Sequence, residues 1–317
     1  MSVSGSKKEF ILNLILKQNP SLISQFIDGE YRHIELELYQ NKMYFDMYGR
    51  EIKSNLPVYV ETQLSKADPV HYVKVKQTIE RIEEGIVLWI ATDFKEEYVD
   101  GMYNLLHFTM AKPINLYMVM LSSNYQFQLD VLNKEAQVDV WNKIINQNID
   151  LPILSLFRAV EIVPSDYVST LEDNIGGSLT TVKGSNIYFL RCLKERVPFF
   201  LNAHRSKANP NKRQIVFGAG KAGLDYVVCL QDRNNQCYFK LRLTNDRHQV
   251  LYNKIKRVMK KEVKYSSLKY EQSEIVFFYP DSLDILKRIT SMINHFERLI
   301  ILVDSIVNEQ NDINFVS

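Results

Sequence analysis

A chain of 317 residues is long for one hydrophobic core and comfortable for two, and its 46% hydrophobic and 24% charged residues are the balance of a folded globular protein. The formal net charge of +2 excludes a protein that coats duplex DNA indiscriminately, so any nucleic-acid contact must rest on local patches. The three cysteines, Cys192, Cys229 and Cys237, lack metal-ligand spacing and read as reduced thiols of a cytoplasmic protein. No signal peptide is read at the start, MSVSGSKKEF, and the longest apolar runs (86–91 and 299–303) are far short of a membrane helix. A soluble, cytoplasmic protein with no membrane partner is expected.

In chain order, Glu9 to Ile27 reads as an opening helix with a kink at Asn19-Pro20. From His33 the period becomes two, with Ile34, Leu36 and Leu38 alternating with Glu35, Glu37 and Tyr39, which predicts a half-buried strand. Met43–Tyr48 predicts a second strand, Gly49-Arg50 a turn, and Leu56–Leu64 a third strand. Pro69 suits the first turn of a helix that places Val75, Ile79 and Ile82 on one face and stops at Gly85. The apolar run Ile86–Ala91 predicts a central strand, followed by a helix over Glu96–His107 and a buried strand over Ile114–Leu121. The polar stretch from Pro164 to Gly184, with Gly176-Gly177, marks a boundary: a first domain over 1–165, a linker over 166–184 and a second domain over 185–317. The second domain reads as a helix over Ile187–Asn202 and strands over Gln214–Phe217, Leu224–Leu230 and Gln236–Leu243. A helix over Arg247–Lys261, a strand over Glu274–Tyr279 and a long closing helix from Asp281 complete it. The expected fold class is α/β, a mixed sheet followed by a second, α+β domain.

The residues that could carry chemistry lie in the second and third strands. In VYVETQL, Glu61 and Gln63 share one face of a strand, and Asp46 sits in the strand before, where antiparallel pairing brings it beside Glu61. Two carboxylates aimed at one point repel unless a cation lies between them, and Mg²⁺ (or Mn²⁺) suits such a pair with a carbonyl and waters. Asp46 and Glu61, with the carbonyl of Thr62, are the candidate metal ligands. Gln63 is the candidate for orienting an attacking water, since it cannot supply the charge of a lysine. The bland alternatives are an exposed edge strand for Glu61 and Gln63, a turn for Asp46 beside Gly49, and an N-cap for Asp68 before Pro69.

The Asp–(14 residues)–Glu-Thr-Gln pattern resembles the PD-(D/E)XK nuclease signature with Gln in place of Lys. The segment ETQLSKADPVHYVKVKQTIERIEEGIVLWIATDFKEEYVDGMYNLLH resembles a bacterial and archaeal family written E-N-Q-L-x-x-x-D-H-x-H-L, a helix, a strand ending W-I-A, then F-x-x-E-H. Glu61, Gln63, Leu64, Asp68, His71, Trp89, Ile90, Ala91, Phe94 and Glu97 stand in register; Pro69, Thr78 and Tyr98 depart from the family's His, Tyr and His. The second half, from IYFLRCLKERV onward, looks like the domain of unassigned function that follows in that family. The resemblance implies a restriction-endonuclease-like core and a metal-dependent nuclease that hydrolyses DNA, with a role in defence against foreign DNA. The alternative, motivated by the missing Lys and the departures at Pro69, Thr78 and Tyr98, is an inactive nuclease-like fold serving as a regulatory module that binds nucleic acid or protein.

Two basic segments are the candidate phosphate contacts: AHRSKANPNKR with Arg205, Lys212 and Arg213, and KIKRVMKKEVK with Lys256, Arg257, Lys260 and Lys261. A solvated face is the plain reading of both. FGAGKAG matches the spacing G-x-G-x-x-G, but LDYVVCL after it reads as a strand, so a hairpin loop is expected and not a dinucleotide site. The second domain is also the candidate surface for a homodimer or a protein partner.

Overall fold

In the computed structural model, the residues described are 7–27, 29–40, 42–110, 112–163, 168–169, 179, 181–205, 209–232, 236–262, 268–279 and 284–313. They group into two compact units, one of residues 1–135 and 139–172, the other of 136–138 and 173–317. Most of the segment expected to link two domains, Gly176-Gly177 included, lies outside the described residues. Its last residues do not link: Val182 already opens a helix whose N-cap, Thr181, accepts a hydrogen bond from the Gly184 amide at 3.0 Å.

The first unit is built on a six-stranded mixed sheet in sequence order, β1 (Tyr31–Gln40), β2 (Met43–Glu51), β3 (Pro57–Thr62), β4 (Gly85–Ala91), β5 (Ile114–Leu121) and β6 (Leu154–Val160). β1, β2 and β3 form an antiparallel meander; β4 and β5 run parallel to β3, and β6 returns antiparallel. The opening helix breaks at the expected place. α1 (Lys7–Gln18) ends before Pro20, and only a single turn, α2 (Ser21–Ser24), follows. α3 (Pro69–Arg81) and α4 (Glu96–Asn104), continued as a π-helical turn over Leu105–Met110, flank β4. α5 (Tyr125–Leu132), α6 (Gln137–Ile145) and β6 fall where the sequence pattern predicts nothing. β4 is buried at every residue, as a strand covered on both faces must be. On the side of α3 and α4, Val87 and Trp89 of β4 join Val75, Ile79, Phe94, Val99 and Met102 in one core.

Two local expectations are corrected. Gly49-Arg50 is no turn: Gly49 pairs with Val58 and Arg50 with Pro57, so β2 runs on to Glu51. Glycine is needed there because a Cβ would lie 2.3 Å from the Tyr31 ring and 2.7 Å from the Arg32 carbonyl oxygen. The strict alternation expected from His33 also fails. The β1–β2 register shifts between Arg32 and Glu35, with His33 at φ 54° and Glu37 at φ 51°, and Glu37 is buried.

The second unit carries a five-stranded antiparallel sheet in the order β10-β11-β9-β8-β7: β7 (Gln214–Gly218), β8 (Leu224–Cys229), β9 (Cys237–Leu243), β10 (Leu268–Tyr270) and β11 (Glu274–Tyr279). Its helices are α7 (Val182–Arg196), the short turn α8 (Leu201–His204), α9 (Gln249–Glu262) and α10 (Ile285–Ile313). Ile289, Met292, Phe296 and Leu299 of α10 are buried, and Phe296 meets the rings of Tyr226 and Phe239 at 4.9 Å each, so the closing helix packs an apolar stripe on the sheet. The Gly-rich segment joins the antiparallel β7 and β8, with Gly220 and Gly223 at positive φ, and is a hairpin loop. Among the described residues no helix is long and apolar enough to cross a membrane.

Candidate functional site

The meander brings the predicted carboxylates together. Met47 pairs with Val60, so the next step of the ladder sets Asp46 opposite Glu61. There the main-chain ladder gives way to a side chain: the Thr62 amide donates to Asp46 Oδ2 at 2.7 Å, and the Thr62 hydroxyl to the same oxygen at 3.1 Å. That hydroxyl also reaches Asn13 Oδ1 of α1 at 3.0 Å, tying the strand end to the opening helix. Glu61 is in register with Trp89, which places it on the face covered by α3 and α4, not on an exposed edge. It is 6% exposed.

A residue absent from the sequence-based site completes it. Lys74, from the second turn of α3, places its Nζ 3.1 Å from Asp46 Oδ1 and 2.5 Å from Glu61 Oε2. The two oxygens that this ammonium bridges are therefore no farther apart than the sum of these distances. The positive charge beside the two carboxylates thus comes from a helix and not from their strands. Its signal in the sequence is spacing: Lys74 follows His71 by one helical turn, on the face that Asp68 and Pro69 start.

The charges do not balance. Burial pushes the Glu61 carboxyl well above the usual carboxylate range; the Asp46 charge and, more weakly, that of Glu9 add to this against the pull of Lys74. Burial alone would lower Lys74, but the Asp46 and Glu61 charges more than offset it and hold the ammonium above its ordinary value. With both carboxyls ionised, one ammonium would leave one negative charge unmatched, which adds to the effect of burial in raising Glu61. One polar atom of the group is left over: Glu61 Oε1 is buried without a hydrogen-bond partner. His71 Nε2 lies 4.0 Å from that oxygen.

His71 and Asp68 are held by the start of α3. Asp68 is the N-cap, accepting from the Val70 and His71 amides at 2.9 and 3.0 Å, so the capping reading of Asp68 is the observed one. Its carboxylate also meets His71 Nδ1 at 3.0 Å. Burial raises the Asp68 carboxyl, but the hydrogen bonds from His71 outweigh it and hold the group below its usual range.

Gln63 is placed otherwise than a water-orienting residue needs. It is 0% exposed, and both ends of its amide are engaged. Oε1 accepts from the Trp89 indole at 3.1 Å, while Nε2 donates to the Lys66 carbonyl at 2.7 Å, Ser65 Oγ at 3.1 Å and Asp68 Oδ2 at 3.2 Å. It clamps the end of β3 to β4 and to the cap of α3, and so fixes the elements that carry Glu61 and Lys74. Tyr98 and Thr78, where the nuclease family has His and Tyr, serve the fold: Tyr98 stacks on Tyr72 at 4.9 Å, and the Thr78 hydroxyl donates to the Lys74 carbonyl at 3.0 Å.

The predicted phosphate contacts all lie in the second unit. Lys256, Arg257, Lys260 and Lys261 share α9, where Arg257, Lys260 and Lys261 are exposed. Lys256 Nζ reaches the Glu271 carbonyl at 2.5 Å, and Lys260 lies over the Tyr270 ring at 5.2 Å, so both also brace the fold. Arg205 follows α8 as its C-cap, and Lys212 and Arg213 precede β7, with Arg213 Nη1 donating to the Asp232 carbonyl at 3.0 Å. No family model, curated protein or solved structure matches the chain.

Proposed function

We propose that this chain is a Mg²⁺- or Mn²⁺-dependent nuclease that hydrolyses DNA phosphodiester bonds at Asp46 and Glu61, as its resemblance to PD-(D/E)XK nucleases implies, with Lys74 added to the site by its place beside both carboxylates. The observation that carries the reading is the buried Glu61 Oε1, which has no hydrogen-bond partner although a second carboxylate and an ammonium stand beside it. Among the described residues no three His, Cys, Asp or Glu side chains are set to hold an ion, so a cation here draws on Asp46, Glu61 and the Thr62 carbonyl. Oxygen ligands of this kind suit Mg²⁺, which keeps several waters. When bound, the ion would lower the pKa of a water and offset charge gathering on the phosphorus oxygens. Lys74, displaced from the carboxylates, keeps its ammonium within the pocket and donates to a non-bridging phosphate oxygen, the role Gln63 cannot fill. Gln63 and Asp68 hold β3, β4 and α3 in the geometry this needs. The exposed cations of α9, with Lys212 and Arg213, contact the DNA backbone.

A second reading has its own observation. Lys74 already bridges both carboxylates, which is how a nuclease-like fold that no longer cleaves would settle its buried charge. A metal-titrated cleavage assay on single-stranded, duplex and supercoiled DNA separates the two. The nuclease reading expects cleavage that requires Mg²⁺ or Mn²⁺ and is lost in Glu61→Gln, with folding and DNA affinity kept. No cleavage by the wild type under any of these conditions, or cleavage undiminished in Glu61→Gln, overturns it.

A further inference from the structure

The sheet of the second unit has two unlike faces. One closes the core under Phe296 of α10, and α9 lies on that side too, since Lys260 covers Tyr270, the partner of the buried Ile275. The pairing register defines the other face. Tyr238 of β9 and Phe278 of β11 are direct cross-strand partners, and Lys240 and Lys269 stand in the adjoining row, each paired with Val276. Tyr238 and Phe278 have ring centroids 6.2 Å apart, and both are partly exposed. Lys240 Nζ lies 5.6 Å from the centre of the Tyr238 ring, and Lys269 Nζ lies 4.9 Å from that of Phe278. Among the described residues, the polar contacts of these side chains stay on this face: Gln214 donates to the Tyr238 hydroxyl at 2.6 Å, and Lys240 pairs with Glu274 at 2.8 Å.

We propose that this face binds single-stranded nucleic acid, with neighbouring bases stacked on Tyr238 and Phe278 and the phosphate between them held by Lys269. The partly exposed rings offer π-faces that an unstacked base can cover once the lysine over each ring swings aside, whereas the bases of a duplex have their faces taken by one another. The lysines bring cations to the edge of that platform, where the phosphates of a stacked strand must run. Glu274 neutralises Lys240, so the electrostatic share falls mainly on Lys269, which is exposed and, among the described residues, has no ion pair. The binding this predicts is dominated by stacking and only weakly dependent on salt. It is independent of the nuclease reading, because every group it uses is in the second unit, on the sheet face opposite α9.

The test is fluorescence anisotropy with the full chain in EDTA, using a labelled oligothymidylate of about 16 nucleotides and a mixed-sequence duplex of equal length. The expected result is tighter binding of the single strand. Phe278→Ala weakens it about tenfold, and Lys269→Glu weakens it several-fold and lowers the salt slope by about one. Lys269→Glu changes an exposed residue outside the core, so it decides the question even where Phe278→Ala disturbs folding. No single-strand binding, a preference for the duplex, or wild-type affinity and salt slope in Lys269→Glu would overturn the proposal.

Discussion

Three charged groups share one pocket between β2, β3 and α3, and their energies are coupled. Glu61 is nearly sealed from water, and a carboxylate so placed is tolerable only while a cation stands beside it. That cation is Lys74, at 2.5 Å. Replacing it by methionine keeps much of the stem's packing but strands two carboxylates, so Lys74→Met is expected to cost about 3 kcal/mol in urea unfolding. Adding Glu61→Gln to that variant should restore part of the loss. A Lys74→Met protein as stable as the wild type would show that the pocket carries no buried charge, and the site would have to be redrawn. Sequence spacing revealed the carboxylates because they sit on adjacent antiparallel strands, β2 and β3, whose pairing sets one opposite the other. It did not reveal Lys74, since the positive charge was sought on the strand that bears Glu61 and it arrives from a helix. Gln63 illustrates the reverse: its alternation with Glu61 is real, yet the indole of Trp89 and the cap of α3 use up its amide.

Among elements, those fixed by local chemistry were readable and those fixed by close tertiary approach were not. β4 and β5 are apolar runs that only a doubly covered strand explains, and Asp68-Pro69 sets the start of α3 through capping and a fixed φ. β1 and β2 depend on each other. The bulge near His33 and the passage of the Tyr31 ring over Gly49 follow from how the two strands meet, which no single-strand period encodes. Gly49→Ala should therefore lower stability by about 2 kcal/mol, because the Arg32 carbonyl that its Cβ would meet at 2.7 Å is main chain and cannot step aside alone. An unchanged melting temperature would mean that the meander shifts freely. The same strand delivers Asp46, so this variant should also loosen the site.

At the scale of the whole molecule, the chain joins an α/β unit whose sheet presents two carboxylates to a helix-borne lysine and an α+β unit with a basic helix and an aromatic sheet face. Both fold classes were legible from the change in periodicity along the sequence. The account stands or falls on whether the pocket of the first unit accepts a divalent ion in place of the ammonium that now bridges it. Crystals of the full chain soaked in Mn²⁺ and measured for anomalous scattering test this directly. The account predicts a peak bonded to Asp46 and Glu61 oxygens at about 2.1 Å, with Lys74 Nζ moved off the carboxylates, and no peak in Glu61→Gln. A pocket without a peak at saturating Mn²⁺, with Lys74 still joined to both carboxylates, would contradict it.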